Sequence, residues 1–113
     1  MKLDENKIRV IYHGVDHNIY KKYQFNELKQ TKEKFNLPDN FLLFVGSIEP
    51  RKNMISLLKA FNSLNESLKS EFPLILVGSE GWKNREIMAE IHKSNNIRYL
   101  GYVEDYELPY IYN

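Results

Sequence analysis

A chain of 113 residues, 42% hydrophobic, 13% aromatic and 27% charged, suffices for one domain with one core and is too short for two. Lys and Arg total 16 against 15 Asp and Glu, a net charge of +1, so no global field selects nucleic acid or an anionic membrane; any anion site must be local. With no Cys, disulfide frameworks, thiolate zinc sites and cysteine nucleophiles are excluded together; this fits a reducing compartment, and the cytoplasm is the expected location.

The N-terminal "MKLDENKIRV" is charged and lacks the apolar centre of a signal peptide, and no apolar run approaches the roughly 20 residues that span a bilayer. No internal repeat or low-complexity tract interrupts the chain. "IRVIY" (8–12) reads as a first strand. "FNELKQTKEKFNLP" (25–38) reads as a polar surface helix with Leu28 and Phe35 inward, closed by Asn36 and Pro38. "FLLFV" (41–45) and "PLILV" (73–77) are apolar throughout, as strands covered on both faces of a parallel sheet require. Between them, Met54, Leu57, Leu58, Phe61, Leu64 and Leu68 recur at spacings of three and four, predicting one helix over 53–68 capped by Asn53. A second amphipathic helix is expected over 84–94 with Asn84 as N-cap, then a strand at 96–103. The final "EDYELPYIYN" begins a further helix, with Asp105 as N-cap and Pro109 tolerated only in the first turn.

Strand, helix, strand, helix, strand implies βαβ units and an α/β three-layer sandwich on a four-stranded parallel sheet. A sheet of that size ending inside a helix has an uncovered edge and an unfinished layer, so residues 1–113 read as part of a larger domain, truncated before its end.

In open α/β sheets ligands bind at the carboxyl ends of the strands. Each exit here holds a glycine: "HGVD" (13–16), "GSIEPRKN" (46–53), "GSEGW" (78–82) and "GYVED" (101–105). Asn53 is placed to cap the following helix, whose first N–H groups and dipole favour an anion, and Arg51 and Lys52 add two cations at its mouth, a pair suited to a diphosphate. The alternative for such a pair is a surface ion pair with Glu49 or contact with water alone. The P-loop pattern and GxGxxG are absent, as is the Asp cluster of a phosphoacceptor module. His13, His17 and His92 lack ligand spacing, so no metal site is expected. Trp82 could stack on a base, but covering the next helix is its commoner use, and the tyrosines from Tyr99 to Tyr112 form no stacking platform.

Assembled in this order, the residues resemble a retaining glycosyltransferase of family 4, the type with two facing Rossmann-like domains. "VIYHGVD" is similar to the family's opening strand and turn, "FLLFVGSIEPRKN" to its Gly-x-x-x-Pro-Arg-Lys-Asn segment, and "LILVGSEGW" and "IRYLGYVEDYELPYIY" to the next two units. The resemblance covers residues 8–113 and follows the C-terminal, donor-binding domain. It implies transfer of a hexose-type sugar from a nucleoside diphosphate donor to a glycan or lipid-linked acceptor, without a metal or other cofactor. Arg51 and Lys52 would neutralise the diphosphate and the developing charge of the leaving nucleotide. Gly46 and Ser47 would line the donor loop, Gly78 and Ser79 the nucleotide cleft. Tyr102 and Val103 would approach the base through backbone groups, and Gly14 would lie beneath the donor.

His13 and Tyr12 stand where the family usually has Asn and Pro, and Ser47 where many members carry Arg. The family's pair of Glu around a Gly-rich turn is expected beyond Asn113, and an acceptor domain ahead of the chain, so the isolated chain is expected to be inactive. The parent enzyme would be cytoplasmic or peripheral at the inner membrane face. The competing reading is a self-standing α/β binding or interaction module that associates with a protein or a second copy through its exposed sheet edge.

Overall fold

The computed structural model describes residues 5–113. Its centre is a three-stranded parallel sheet, β1 (Leu42–Val45), β2 (Leu74–Val77) and β3 (Ile97–Gly101), in the order β1-β2-β3. β1 pairs with β2 in register from Leu42↔Leu74 to Val45↔Val77, and β3 follows β2 with a shift between Leu76 and Val77. Five helices flank it: α1 (Phe25–Lys34), α2 (Met54–Asn62), α3 (Glu66–Glu71), α4 (Arg85–Ile91) and α5 (Leu108–Ile111).

β2 is buried along its whole length, which is why its sequence is apolar at every position. Its side chains alternate between two cores. Leu74 and Leu76 join Met54, Leu58 and Phe61 of α2 and Ile87 and Ile91 of α4 on one face. Ile75 and Val77 pack on the other face with Leu37, Val103 and Ile111 and with the half-buried Phe35 and Leu108 beside α1 and α5. The expected α/β three-layer architecture, Rossmann-like in its parallel strands and covering helices, is therefore present.

The first predicted strand is absent. Residues 8–12 form no ladder and are exposed, Ile11 at 89%, so the described sheet has three strands rather than four. An apolar run predicts that a segment can pair, but pairing needs a neighbour to accept its N–H and C=O groups. The Cα radius of gyration, 17.8 Å, exceeds the ~13 Å of a compact chain this long, as an unpacked segment requires. Contact resumes near Tyr23, whose N–H donates to Asn113 Oδ1 at 3.0 Å and whose ring lies 4.5 Å from that of Tyr110.

Helix ends depart from expectation where side-chain caps were predicted. α1 closes as read: Asn36 sits at φ 47°, its N–H bonds Glu33 O, and Leu37 N–H reaches Lys32 O, the paired bonds of a left-handed C-terminal cap. Arg98 adds Nη1 to Asn36 O at 2.6 Å and Nη2 to Phe35 O at 2.7 Å. The single helix expected over 53–68 is two, because Asn65 leaves helical geometry and its side chain accepts from Leu68 N at 2.9 Å, restarting the chain as α3. Asn53 does not cap α2 with its side chain; it is left-handed, φ 53° and ψ 38°, and only its carbonyl accepts from the first turn. Asn84 precedes α4 without capping it and donates to Glu80 Oε2 instead. Asp105 lies in a turn ahead of α5, which starts after Glu107 and holds Pro109 in its first turn.

Candidate functional site

The strand exits of β1 and β2 are built as one unit. Gly46 N–H bonds Val77 O at 2.8 Å, Gly78 N–H bonds Gly101 O at 2.8 Å, and Ile48 N–H reaches Ser79 O at 3.0 Å. Gly81 N–H returns to Ile48 O, so Ile48 and Glu80 form a parallel bridge that carries the ladder past the strands. Gly78 is required by space: a Cβ there would lie 2.1 Å from Gly46 O, and its φ is 141°. The bridge also buries Ile48 completely, pinning the following loop to the α2 core.

That loop turns through a 3-10 segment, Pro50–Lys52, and delivers Arg51 and Lys52 exposed, directly before α2. Lys52 forms no ion pair among the described residues, whereas Arg51 Nη2 donates to Glu49 Oε1 at 2.6 Å. Glu49 is only 7% exposed, although it sits in a surface loop. Burial alone would push its carboxyl up, but hydrogen bonds from Arg51 and Ser47 and the charges of Arg51 and Lys52 hold it below the ordinary value. The N-terminal amides of α2 at Met54 and Ile55 meet no backbone acceptor among the described residues, leaving a local positive end beside the two cations.

The third exit closes the edge. Tyr99 donates its hydroxyl to Gly78 O at 2.8 Å, and burial followed by the charge of Glu80 pushes its pKa up, so it remains a neutral donor. Tyr102 is exposed, while Val103 is buried in the α1 and α5 core and could meet a ligand only through its backbone. Gly46, Ser47, Arg51, Lys52, Gly78, Ser79, Tyr102 and Val103 thus lie on the exits of three neighbouring strands or in the loop that follows the first. Gly14 does not: its strand is unformed, and nothing lies within 4 Å of a Cβ built on it. Trp82 is not packed over the next helix as expected; it is 57% exposed with Lys83 Nζ 5.5 Å from its ring.

Sequence reading weighed Glu49 only as a surface partner of the two cations and Tyr99 only as a stacking residue, and gave Gly81 no separate role. Gly81 had a legible signal as the second glycine of "GSEG", and a Cβ there would stand 2.9 Å from Glu49 Cβ. Among the described residues no cluster of His, Asp and Glu could hold a metal ion, and no helix is long and apolar enough to cross a membrane. A separate cleft of about 300 Å³ lies between α1 and α5, lined by Phe25, Leu28, Leu37, Phe41 and Tyr110, away from the strand exits.

Parallel strands with helices on both faces define an α/β domain of the open-sheet kind, with glycine loops and two cations gathered at the carboxyl ends of the strands, where such sheets bind their ligands. Residues 25–113 match the model of the family Glycosyl transferases group 1, and the chain belongs to that family. It is similar to O-antigen chain mannosyltransferase B of Escherichia coli, 38% identical over 84 residues that cover 71% of this chain and 22% of that protein. It is also similar to the serotype-specific mannosyltransferase WbdA of Escherichia coli, 28% identical over 96 residues, covering 80% of this chain and 12% of the relative. The chain therefore spans about a fifth or less of the length of these relatives. Its fold resembles the crystal structure of Anabaena Alr3699/HepE in complex with UDP and glucose, with a TM-score of 0.62 and 18% identity over 91% of this chain and 28% of that one.

Proposed function

We propose that this chain is the nucleotide-sugar-binding part of a retaining glycosyltransferase, a piece of the C-terminal domain of a two-domain enzyme. The parent transfers a hexose-type sugar from a nucleoside diphosphate donor to a glycan or lipid-linked acceptor, and the chain alone does not catalyse transfer. The observation that carries this is the loop from Gly46 to Asn53: it is locked to β2 by the Ile48 bridge and presents Arg51 and Lys52, both exposed, at the N-terminal end of α2. Two cations and aligned N–H groups stabilise the charge that grows on the departing diphosphate as the bond to the sugar breaks. Gly46 and Ser47 flank the phosphates, Gly78 and Ser79 line the nucleotide cleft, and the backbone at Tyr102 and Val103 meets the base. With those charges supplied by side chains, no metal or other cofactor is required. Family membership supports this reading, as does the similarity to the mannosyltransferases. The parent would act in the cytoplasm or at the inner membrane face.

The test is titration of the chain with pyrophosphate, UDP and GDP, comparing wild type with Lys52→Ala. Loss of one charge-assisted contact of about 1.5–3 kcal/mol weakens binding roughly 10- to 100-fold with the circular dichroism spectrum unchanged. Unchanged affinity would remove Lys52, and the diphosphate site with it.

A second reading, a self-standing interaction module, draws on the exposed apolar residues Ile8, Val10, Ile11 and Tyr12 and on the free edge of β1 at the exposed Leu42. It predicts a stable oligomer by light scattering and indifference to nucleotides; a strict monomer contradicts it.

A further inference from the structure

We propose that Glu49 is a positioning residue of the donor site: its buried carboxylate grips one edge of the Arg51 guanidinium so that the remaining donors face the diphosphate. This rests on the diphosphate reading given above. A guanidinium carries five N–H donors, and the bond from Nη2 to Glu49 Oε1 engages one edge of the fork while the Arg51 side chain stays 69% exposed. A free arginine in a surface loop samples many rotamers, and ordering it on an anion costs binding energy; an arginine already held needs less ordering.

Three features show that the carboxylate is built in rather than incidental. Glu49 follows the buried Ile48, whose bridge to Glu80 sets the backbone from which the carboxylate projects. Gly81 leaves room for it: a Cβ there would lie 2.9 Å from Glu49 Cβ and 3.3 Å from Glu49 Oε2. The Glu49 carbonyl accepts from Lys52 N–H at 3.1 Å, so one residue ties the arginine side chain and the lysine backbone into the same turn. A carboxylate this close to an anion site opposes the anion by its charge, so its contribution must come through geometry. Charge and geometry are separable, because glutamine keeps the acceptor and loses the charge, whereas alanine loses both.

The experiment is a double-mutant cycle in pyrophosphate and UDP affinity on the full chain, with Glu49→Ala, Arg51→Ala and the double variant, and Glu49→Gln beside them. Glu49→Ala is expected to weaken binding roughly 2- to 10-fold, Glu49→Gln to bind at least as well as wild type, and Glu49→Ala to have no further effect once Arg51 is alanine. The Arg51 side-chain resonances, followed by NMR without any ligand, should be sharp and shifted in wild type and Glu49→Gln and collapse to free-arginine positions in Glu49→Ala. If Glu49→Ala weakens binding equally with and without Arg51, or binds more tightly than wild type, or leaves the Arg51 resonances in place, Glu49 does not position Arg51. The outcome in which Lys52→Ala weakens diphosphate binding while 49 and 51 are uncoupled sinks this inference alone. Absence of diphosphate binding by the wild-type chain sinks the site and the inference together.

Discussion

Alanine at each of three glycines subjects the strand-exit architecture to a graded test. At Gly78 the new Cβ would stand 2.1 Å from the Gly46 carbonyl oxygen and 2.6 Å from its carbon, both backbone atoms, at a φ of 141°. The backbone of one exit must move by about an ångström, since real Cβ contacts rarely fall below 3 Å, and the residue must still hold a φ that L side chains rarely adopt. Backbone strain of about 1–3 kcal/mol and overpacking of about 1–3 kcal/mol together give a loss of roughly 2–6 kcal/mol. At about 4 °C per kcal/mol for a chain of this size, the melting temperature falls by roughly 8–24 °C. Gly101 has φ 76° with open space around it, so only the strain remains, about 1–2 kcal/mol and roughly 4–8 °C. Gly14 has neither constraint, and its alanine variant should melt within about 2 °C of wild type. Thermal unfolding followed at 222 nm reads all three. If Gly78→Ala melts with wild type, or Gly14→Ala costs as much as Gly78→Ala, the two exits are not packed as described.

Acid should act through Glu49. Its folded pKa lies below its unfolded value of about 4.3, so its contribution to stability is complete above that value and is lost as pH falls through the folded pKa. The stability difference between wild type and Glu49→Gln should therefore shrink as pH is lowered from 7 to 3. A difference constant across that range would mean the carboxylate is not held by its partners. Arg98→Ala removes two charge-assisted bonds to the carbonyls of Phe35 and Asn36, just past the end of α1, and should lower stability by about 1–3 kcal/mol. The urea midpoint should drop with an unchanged slope, and an unmoved midpoint would show that water replaces the fork at no cost.

What the sequence disclosed follows the kind of physics involved. The unbroken apolar run of β2 reads as a strand buried on both faces and is one, whereas the equally apolar β1, read the same way, lies at the sheet edge with Leu42 exposed and the rest half-buried; the stripe from Met54 to Phe61 packs inward. The same logic misread residues 8–12, because apolar character says nothing about whether a partner strand is at hand. It also ran α2 through Ser63 and Leu64, since Leu64 and Leu68 continue the spacing while both remain exposed; the restart at Asn65 is a capping event, which periodicity does not register. At the site, glycines and cations were visible as residue types at strand ends. The pairing of Glu49 with Arg51 was legible as an alternative, but the burial of Glu49 was not, because it depends on the distant bridge from Ile48 to Glu80 that sets the turn. The ion pair between Arg51 and Glu49 is present, with the carboxylate buried rather than on the surface.

The central claim, that the strand exits form a diphosphate and nucleotide site, is tested most directly by mapping amide shifts as UDP, GDP and pyrophosphate are added to the labelled chain. The account predicts changes concentrated in residues 46–55, 78–81 and 101–103, with pyrophosphate moving the first group alone. Changes confined to the cleft between α1 and α5, around Phe25, Phe41 and Tyr110, or no saturable change at all, would contradict it.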